Sequence, residues 1–242
     1  MEPLVIFEDR HLLVARKPPG WLAQADGGSR PDVLAWARHY LEVAGHKPGR
    51  AYVGLCHRLD LHVGGLMALA KTSKAARRLH QQFLSRSIDK YYLALTQGVP
   101  PSRGRLEQDL WRAGTITRLA RASEKGTRAI LDYEVLGQGR LQVGVKGGEG
   151  ALLAIKLLTG LKHQIRAQLA SLGFPLVGDQ RYGAAPGPEA TIGLWACQLG
   201  LTHPVSQSRL VWVAWPGDFW PWSAWEGPAW TELWPFGEVT TP

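Results

Sequence analysis

The stretch 55-LCHRLDLHVGGLMALAK-71 sets four polar or charged side chains, His57, Arg58, Asp60 and His62, in an otherwise apolar run. A carboxylate in such a run loses hydration. It must either find a partner or see its pKa pushed upward. Two further pieces place reactive groups in similar company: 90-KYY-92, and 159-TGLKHQIRAQLASLGFPLVGDQRYG-183 with Arg166 at its centre. An aspartate, a phenol and a guanidinium together form a workable constellation. Asp60 supplies a nucleophile or base, an arginine keeps it ionised, and a tyrosine relays a proton or stacks on a ring. Spacing alone leaves open whether the three meet. Other chemistries fit less well. Cys56 and His57 are neighbours on an expected strand and point to opposite faces, so they do not form a thiol–imidazole pair. His57, His62, His80, His163 and His203 lack the spacing of a metal site. HRLD resembles a kinase HRD, yet neither a Gly-rich loop before a strand lysine nor a DFG accompanies it.

The elements that must position these groups read as strands mixed with a few helices. Residues 4–21 read as two short strands with a polar turn at Glu8-Asp9-Arg10, the second stopped by Pro18-Pro19-Gly20. Val33, Leu34, Ala37 and Leu41 recur at helical spacing over 31–42. The HRLD stretch reads as a strand, a Gly64-Gly65 turn and a second strand, 66–71. Ser73 is placed as the cap of a helix to about Ser85, with Ala76, Leu79 and Phe83 inward. Residues 91–98 form a strand, 101–126 show no clean period, and 127–136, 140–147 and 151–159 read as a meander of three strands. A helix over 162–173 ends at Gly173, and strands at 192–203 and 209–216 follow. This order predicts an α+β fold, a mostly antiparallel mixed sheet with a few flanking helices. One domain is expected over 1–242, with a Trp/Pro-rich tail at about 217–242.

Lys and Arg total 28 against 20 Asp and Glu, a net charge of +8. Residues 71–90 carry six basic residues and one acid, and residues 101–128 carry seven and three, whereas residues 211–242 carry four acids and no base. A concentrated positive field suits a polyanion. Seven of the eleven tryptophans fall in 212–234. The acidic character of that stretch repels phosphate, so packing is expected of it rather than base stacking. No apolar run of membrane-spanning length and no signal peptide is read, and two reduced cysteines fit a cytoplasmic protein.

Taken together, the motifs resemble the RluA-type pseudouridine synthase family. The matching residues are HRLD at 57–60, Gly65-Leu66, Ala70-Lys71, Lys90 with Tyr92, Thr159-Gly160, His163-Gln164-Ile165-Arg166, Gly173, Pro175, Gly178-Asp179 and Tyr182-Gly183. The segments 7-FEDRHLLVARKPPG-20 and 125-KGTRAILDYEVL-136 add to the likeness. The resemblance implies isomerisation of a uridine to pseudouridine in structured RNA, ribosomal or transfer, by base flipping, glycosidic cleavage and rejoining through C5. It implies no cofactor and no metal. It assigns catalysis to Asp60, Tyr92 and Arg166, with Arg166 pairing the aspartate and Arg58 filling the gap left by the flipped nucleotide. RNA binding is expected of Arg58, Lys71, Lys74, Arg77, Arg78, Lys90, Lys162 and His163. A monomer acting without an S4-like domain is the further expectation, since HRLD begins at residue 57. The chain departs from the family pattern at Val63-Gly64 (for Thr-Ser), Leu161 (for the arginine of TGR), Gln168 (for His) and Trp195 (for His). The departures at Val63-Gly64 and Leu161 are the support for an alternative, a non-catalytic RNA-binding or RNA-folding protein on the same fold.

Overall fold

Apolar and β-branched runs broken by polar turns give twelve strands, and the computed structural model describes residues 1–44, 51–142 and 148–233. Its backbone divides into two units. One comprises Met1–Asp89 and Gln198–Ala214; the other comprises Lys90–Cys197 and the tail from Trp215.

In the first unit β1 (Leu4–Glu8) and β2 (Leu12–Lys17) form an antiparallel hairpin, and β2 pairs with β4 (Gly64–Ala70). The short β3 (Gly54–Leu55) also pairs with β4. The C-terminal half of β10 (Leu194–Thr202) follows β4 and carries β11 (Arg209–Val213). Leu12, Val14, Leu66, Ala68, Leu199, Leu201 and Trp212 build the core, closed by Ala75 and Leu79 of α2 (Ser73–Leu84). Helix α1 (Val33–Ala44) buries Val33, Ala37 and Leu41 at helical spacing, and the Asp32 carboxylate accepts the Ala35 N–H at its start.

In the second unit the strand order is β10-β5-β9-β8-β6-β7, with β5 at Asp89–Gln97, β6 at Arg103–Ala113, β7 at Ile116–Leu119, β8 at Thr127–Leu141 and β9 at Gly148–Leu157. The pairs β5·β9, β9·β8, β8·β6 and β6·β7 are all antiparallel. Helix α3 (Gln164–Ser171) packs here, and Leu172 and Gly173 end it. The tail adds β12 (Trp225–Glu226), paired with β8, and a last turn of helix, α4 (Trp230–Leu233). Trp220, Trp222 and Trp225 join Tyr91, Leu93, Leu95, Val177 and Trp195 in one core cluster. The tail is therefore packed, as its acidity and tryptophan content suggest.

Four local readings are corrected. Residues 56–63 are irregular rather than strand, and Gly64 and Gly65 lie inside β4 instead of forming a turn. The reason is visible at Ala68, whose N–H donates to His57 Nε2 at 2.9 Å, so a side chain takes the place of the next ladder bond. The α2 cap is Thr72, whose Oγ accepts the Ala75 N–H, and the helix buries Ala75 beside Leu79 while Ala76 and Phe83 are only partly covered. The aperiodic region 101–126 contains the eleven-residue strand β6, whose buried residues are Leu106 and Leu110 alone. Finally, 127–136 and 140–141 fall in one strand, Thr127–Leu141. Gly137 marks a bulge opposite β9, where a turn is expected from its glycines. Residues 143–147 of the second expected strand lie outside the described residues.

Candidate active site

Asp60 sits in the first unit, half-buried in a turn closed by its own carbonyl, which accepts the Val63 N–H at 3.1 Å. The turn is held from both sides. On one, His57 accepts from Ala68 and stacks on Phe83 with ring centroids 4.6 Å apart, while Leu59 is buried. An imidazole that accepts at Nε2 must carry its proton on Nδ1, so His57 is an anchor and its Nε2 lone pair is already used. On the other, the Leu61 carbonyl accepts from Gly20 N–H at 2.8 Å and from Lys17 Nζ at 3.3 Å.

Lys17 is fully buried at the end of β2. Its ammonium donates to the carbonyls of Pro18, Trp21 and Leu61, one for each N–H. Burial pulls its pKa down to about 7, and the negative charge of Asp60 pushes it back up. Sequence reasoning left Lys17 off the site. The signal was present as a lysine closing an apolar strand ahead of Pro18-Pro19-Gly20. Cys56, four residues before Asp60, is no nucleophile: burial raises its thiol pKa to about 11.

The basic residues of this unit divide by what holds them. Arg58, Lys74 and Arg77 are exposed. Arg78 is exposed and donates to the Pro204 carbonyl at 2.5 Å. Lys71 is committed to Glu8 at 2.6 Å and to the Asp9 carbonyl at 2.5 Å.

The second unit carries Arg166, 5% exposed on α3. Its Nε and Nη2 donate to the two oxygens of Asp179 at 2.7 and 2.8 Å, a two-point fork with a buried carboxylate. The guanidinium also lies 5.0 Å from the centre of the Tyr182 ring. The Tyr182 hydroxyl accepts the Thr117 N–H, donates to the Thr117 carbonyl and meets His163 Nδ1 at 3.0 Å. Because the phenol has one proton and the carbonyl takes it, Nδ1 of His163 is the donor. Gln164 fixes the preceding turn. Its Oε1 accepts from Thr159 Oγ1 and Leu161 N–H, and its Nε2 donates to the Ile130 carbonyl. His163 adopts a left-handed conformation, φ 53°, to enter α3 from this turn, and leaves Lys162 exposed. Asp179, Tyr182 and Gln164 were legible only as motif letters. Their pairing required the fold.

Tyr91 and Tyr92 are both buried on β5 and alternate in facing, with Tyr91 in the core cluster beneath Lys156. Lys90 Nζ lies beside Gly160. Cys197 donates to the Tyr91 carbonyl at 3.3 Å, and neither cysteine is in a disulfide. Among the described residues no cluster of three His, Cys, Asp or Glu side chains is arranged to hold a metal ion.

A model of the RNA pseudouridylate synthase family matches residues 11–171, a span that runs from β2 through α3 and holds Lys17, Asp60, Tyr92 and Arg166. The chain belongs to that family. It is 32% identical over 233 residues to ribosomal large subunit pseudouridine synthase D of Pseudomonas aeruginosa, covering 89% of this chain and 69% of that one. With the protein of the same name from Zymomonas mobilis the identity is 31% over 220 residues, covering 85% and 67%. Among solved structures, human RNA pseudouridylate synthase domain containing 1 superposes with a TM-score of 0.73 at 23% identity, covering 93% of this chain and 89% of that one. At that identity the likeness is one of fold. This synthase therefore isomerises uridine to pseudouridine in RNA. The departures at Val63-Gly64 leave the Asp60 turn closed, since Val63 supplies its N–H and both glycines remain in β4. Leu161 keeps the backbone N–H that Gln164 binds.

Proposed function

We propose that Asp60 is the catalytic carboxylate of this synthase, that Arg166 and Tyr92 serve the same reaction, and that the substrate is ribosomal RNA. The reaction breaks the bond between N1 of uracil and C1′ of ribose, forms one between C5 and C1′, and releases the C5 proton. Three routes are open to Asp60: attack at C1′, addition at C6, or removal of a ribose proton. Each needs an ionised carboxylate. Tyr92 lies against the target base and assists proton removal. Extracting a stacked uridine costs about a few kcal/mol. Arg58 fills the vacated place, and Lys74, Arg77, Arg78, Lys90, Lys162 and the arginines of β6 and β7 hold phosphates. Lys71, held by Glu8, and His163, held by Tyr182, belong to the same set of RNA-binding residues. The relatives' names favour ribosomal over transfer RNA as the substrate. The protein acts as a single catalytic domain, a monomer in the cytoplasm, without metal.

The observation that carries the reading is the Asp60 turn, braced by Lys17 and His57 within the matched family span. Tritium release from C5-labelled, unmodified ribosomal and transfer RNA tests it. The native protein releases tritium from ribosomal RNA, and Asp60→Asn binds with equal affinity and releases none. Release by Asp60→Asn at the native rate would remove Asp60 from the chemistry, and release from transfer RNA alone would reverse the substrate.

A further inference from the structure

The tail tryptophans have no part in the reading above, yet one of them reaches the turn that holds the Arg166 partner. Trp220 is 7% exposed, and its six-membered ring lies between Gly178 and Gly187. A methyl group built on either glycine would overlap the ring, so both positions need a residue without a side chain. Gly178 also has φ +78°, a conformation that glycine adopts without strain. Thr191 Oγ1 donates to the Trp220 carbonyl at 2.8 Å and fixes the tail's height on this surface. The residue after Gly178 is Asp179, 1% exposed, whose two oxygens take the Arg166 fork. The turn itself is tight. Asp179 N–H donates to the Leu176 carbonyl, and the Asp179 carbonyl accepts from Tyr182 and Ala184.

We propose that Trp220 is a positioning residue for the isomerisation: wedged between Gly178 and Gly187, it sets the 176–184 turn so that Asp179 holds the Arg166 guanidinium at two points. This rests on the reading of Arg166 as part of the reaction. The fork tolerates little displacement, since moving the carboxylate by an ångström breaks one of two parallel bonds. Loss of the indole removes the surface on which Gly178 rests and lets the turn shift.

The test is single-turnover tritium release with RNA affinity measured alongside, at a temperature where circular dichroism shows each variant folded. Trp220→Ala is expected to slow release about tenfold with affinity within about twofold of native. Trp225→Ala is the control. Trp225 is buried in the same cluster, with its Nε1 on the Pro228 carbonyl and its ring against Gly227 rather than Gly178 or Gly187. It is expected to lose comparable stability and keep the native rate. Gly187→Ala, whose methyl must displace the ring, is expected to reproduce the rate loss with Trp220 in place, and it carries the test if Trp220→Ala does not fold. Equal slowing by Trp220→Ala and Trp225→Ala, or a native rate in Gly187→Ala and Trp220→Ala, would overturn the proposal. Arg166→Lys separates the two readings. A native rate in that variant refutes the role of Arg166 itself, whereas a slow Arg166→Lys beside a fast Trp220→Ala refutes only the wedge.

Discussion

At the residue scale the least expected group is Lys17, a basic residue with no exposed surface that is held by backbone carbonyls, where the buried Arg166 is held by a carboxylate. Its three hydrogens tie the end of β2 to the residue after Asp60, so one side chain links the hairpin to the Asp60 turn. Lys17→Met leaves three carbonyls without their donor and is expected to cost about 2 kcal/mol in a urea titration. The same variant reads out the protonation. Native Lys17 releases its proton near pH 7, while the unfolded chain keeps it to about 10.5. Between those values the unfolded state binds more protons, so the Lys17 contribution to stability rises with pH, and below about 7 it is flat. The stability difference between native protein and Lys17→Met should therefore grow from about pH 7 to 9. A pH-independent difference would mean that burial leaves this lysine unperturbed. Cys56 makes the complementary case. With its pKa raised to about 11, it should resist alkylation at pH 8 in the folded protein and react on unfolding, as followed by mass spectrometry.

At the element scale, short-range chemistry decides where helices and strands begin. Thr72 and Ser73 are both plausible caps by type, and only the extended backbone of Thr72, with φ −141°, aims its hydroxyl at the Ala75 N–H. Thr72→Ala is expected to lower stability by about 1 kcal/mol and Ser73→Ala by a few tenths, measured by thermal unfolding. In β8 the two glycines that mimic a turn have a different use. A side chain at Gly139 would meet the Glu226 backbone, where β12 lies on β8. Gly139→Val should unpair β12 and destabilise the protein by about 1–3 kcal/mol. A neutral result would show that the β12 pairing adds nothing.

For the molecule as a whole, charge and tail divide the work. All 28 Lys and Arg precede the tail, which holds four acids, so the body is more positive than the net +8, and affinity for RNA should fall steeply with salt. Lys74→Ala and Arg77→Ala should each flatten the log–log salt slope by about 0.7–0.9, whereas Lys71→Ala should change it little because Glu8 already holds that ammonium. A full-sized change for Lys71→Ala would show that RNA displaces Glu8. The tail is part of the core rather than an appendage. Removing Trp220, Trp222 and Trp225 at about 3–5 kcal/mol each loses about 9–15 kcal/mol, as much as the usual stability of a domain, about 5–15 kcal/mol. Truncation after Trp215 should give a chain without a cooperative unfolding transition by tryptophan fluorescence. A soluble, native-like product that had lost only RNA affinity would make the tail an RNA platform instead.

The sequence by itself determined the strand-rich α+β character, the amphipathic helices α1 and α2, the family and its reaction, because these rest on periodicity and on motif letters close together in the chain. It also placed Tyr91 and Tyr92 on opposite faces of β5, since alternation is local. It did not reveal that HRLD lies in a turn, because that depends on a His57–Ala68 bond spanning eleven residues. Nor did it reveal β6, whose charged residues hide the two buried leucines that face its neighbours. The carbonyl cage of Lys17, the Asp179 fork on Arg166 and the seat of Trp220 between two glycines join residues up to 44 positions apart. Such contacts are chosen by packing and by the need to satisfy buried polar groups, and only the tertiary structure brings those groups together.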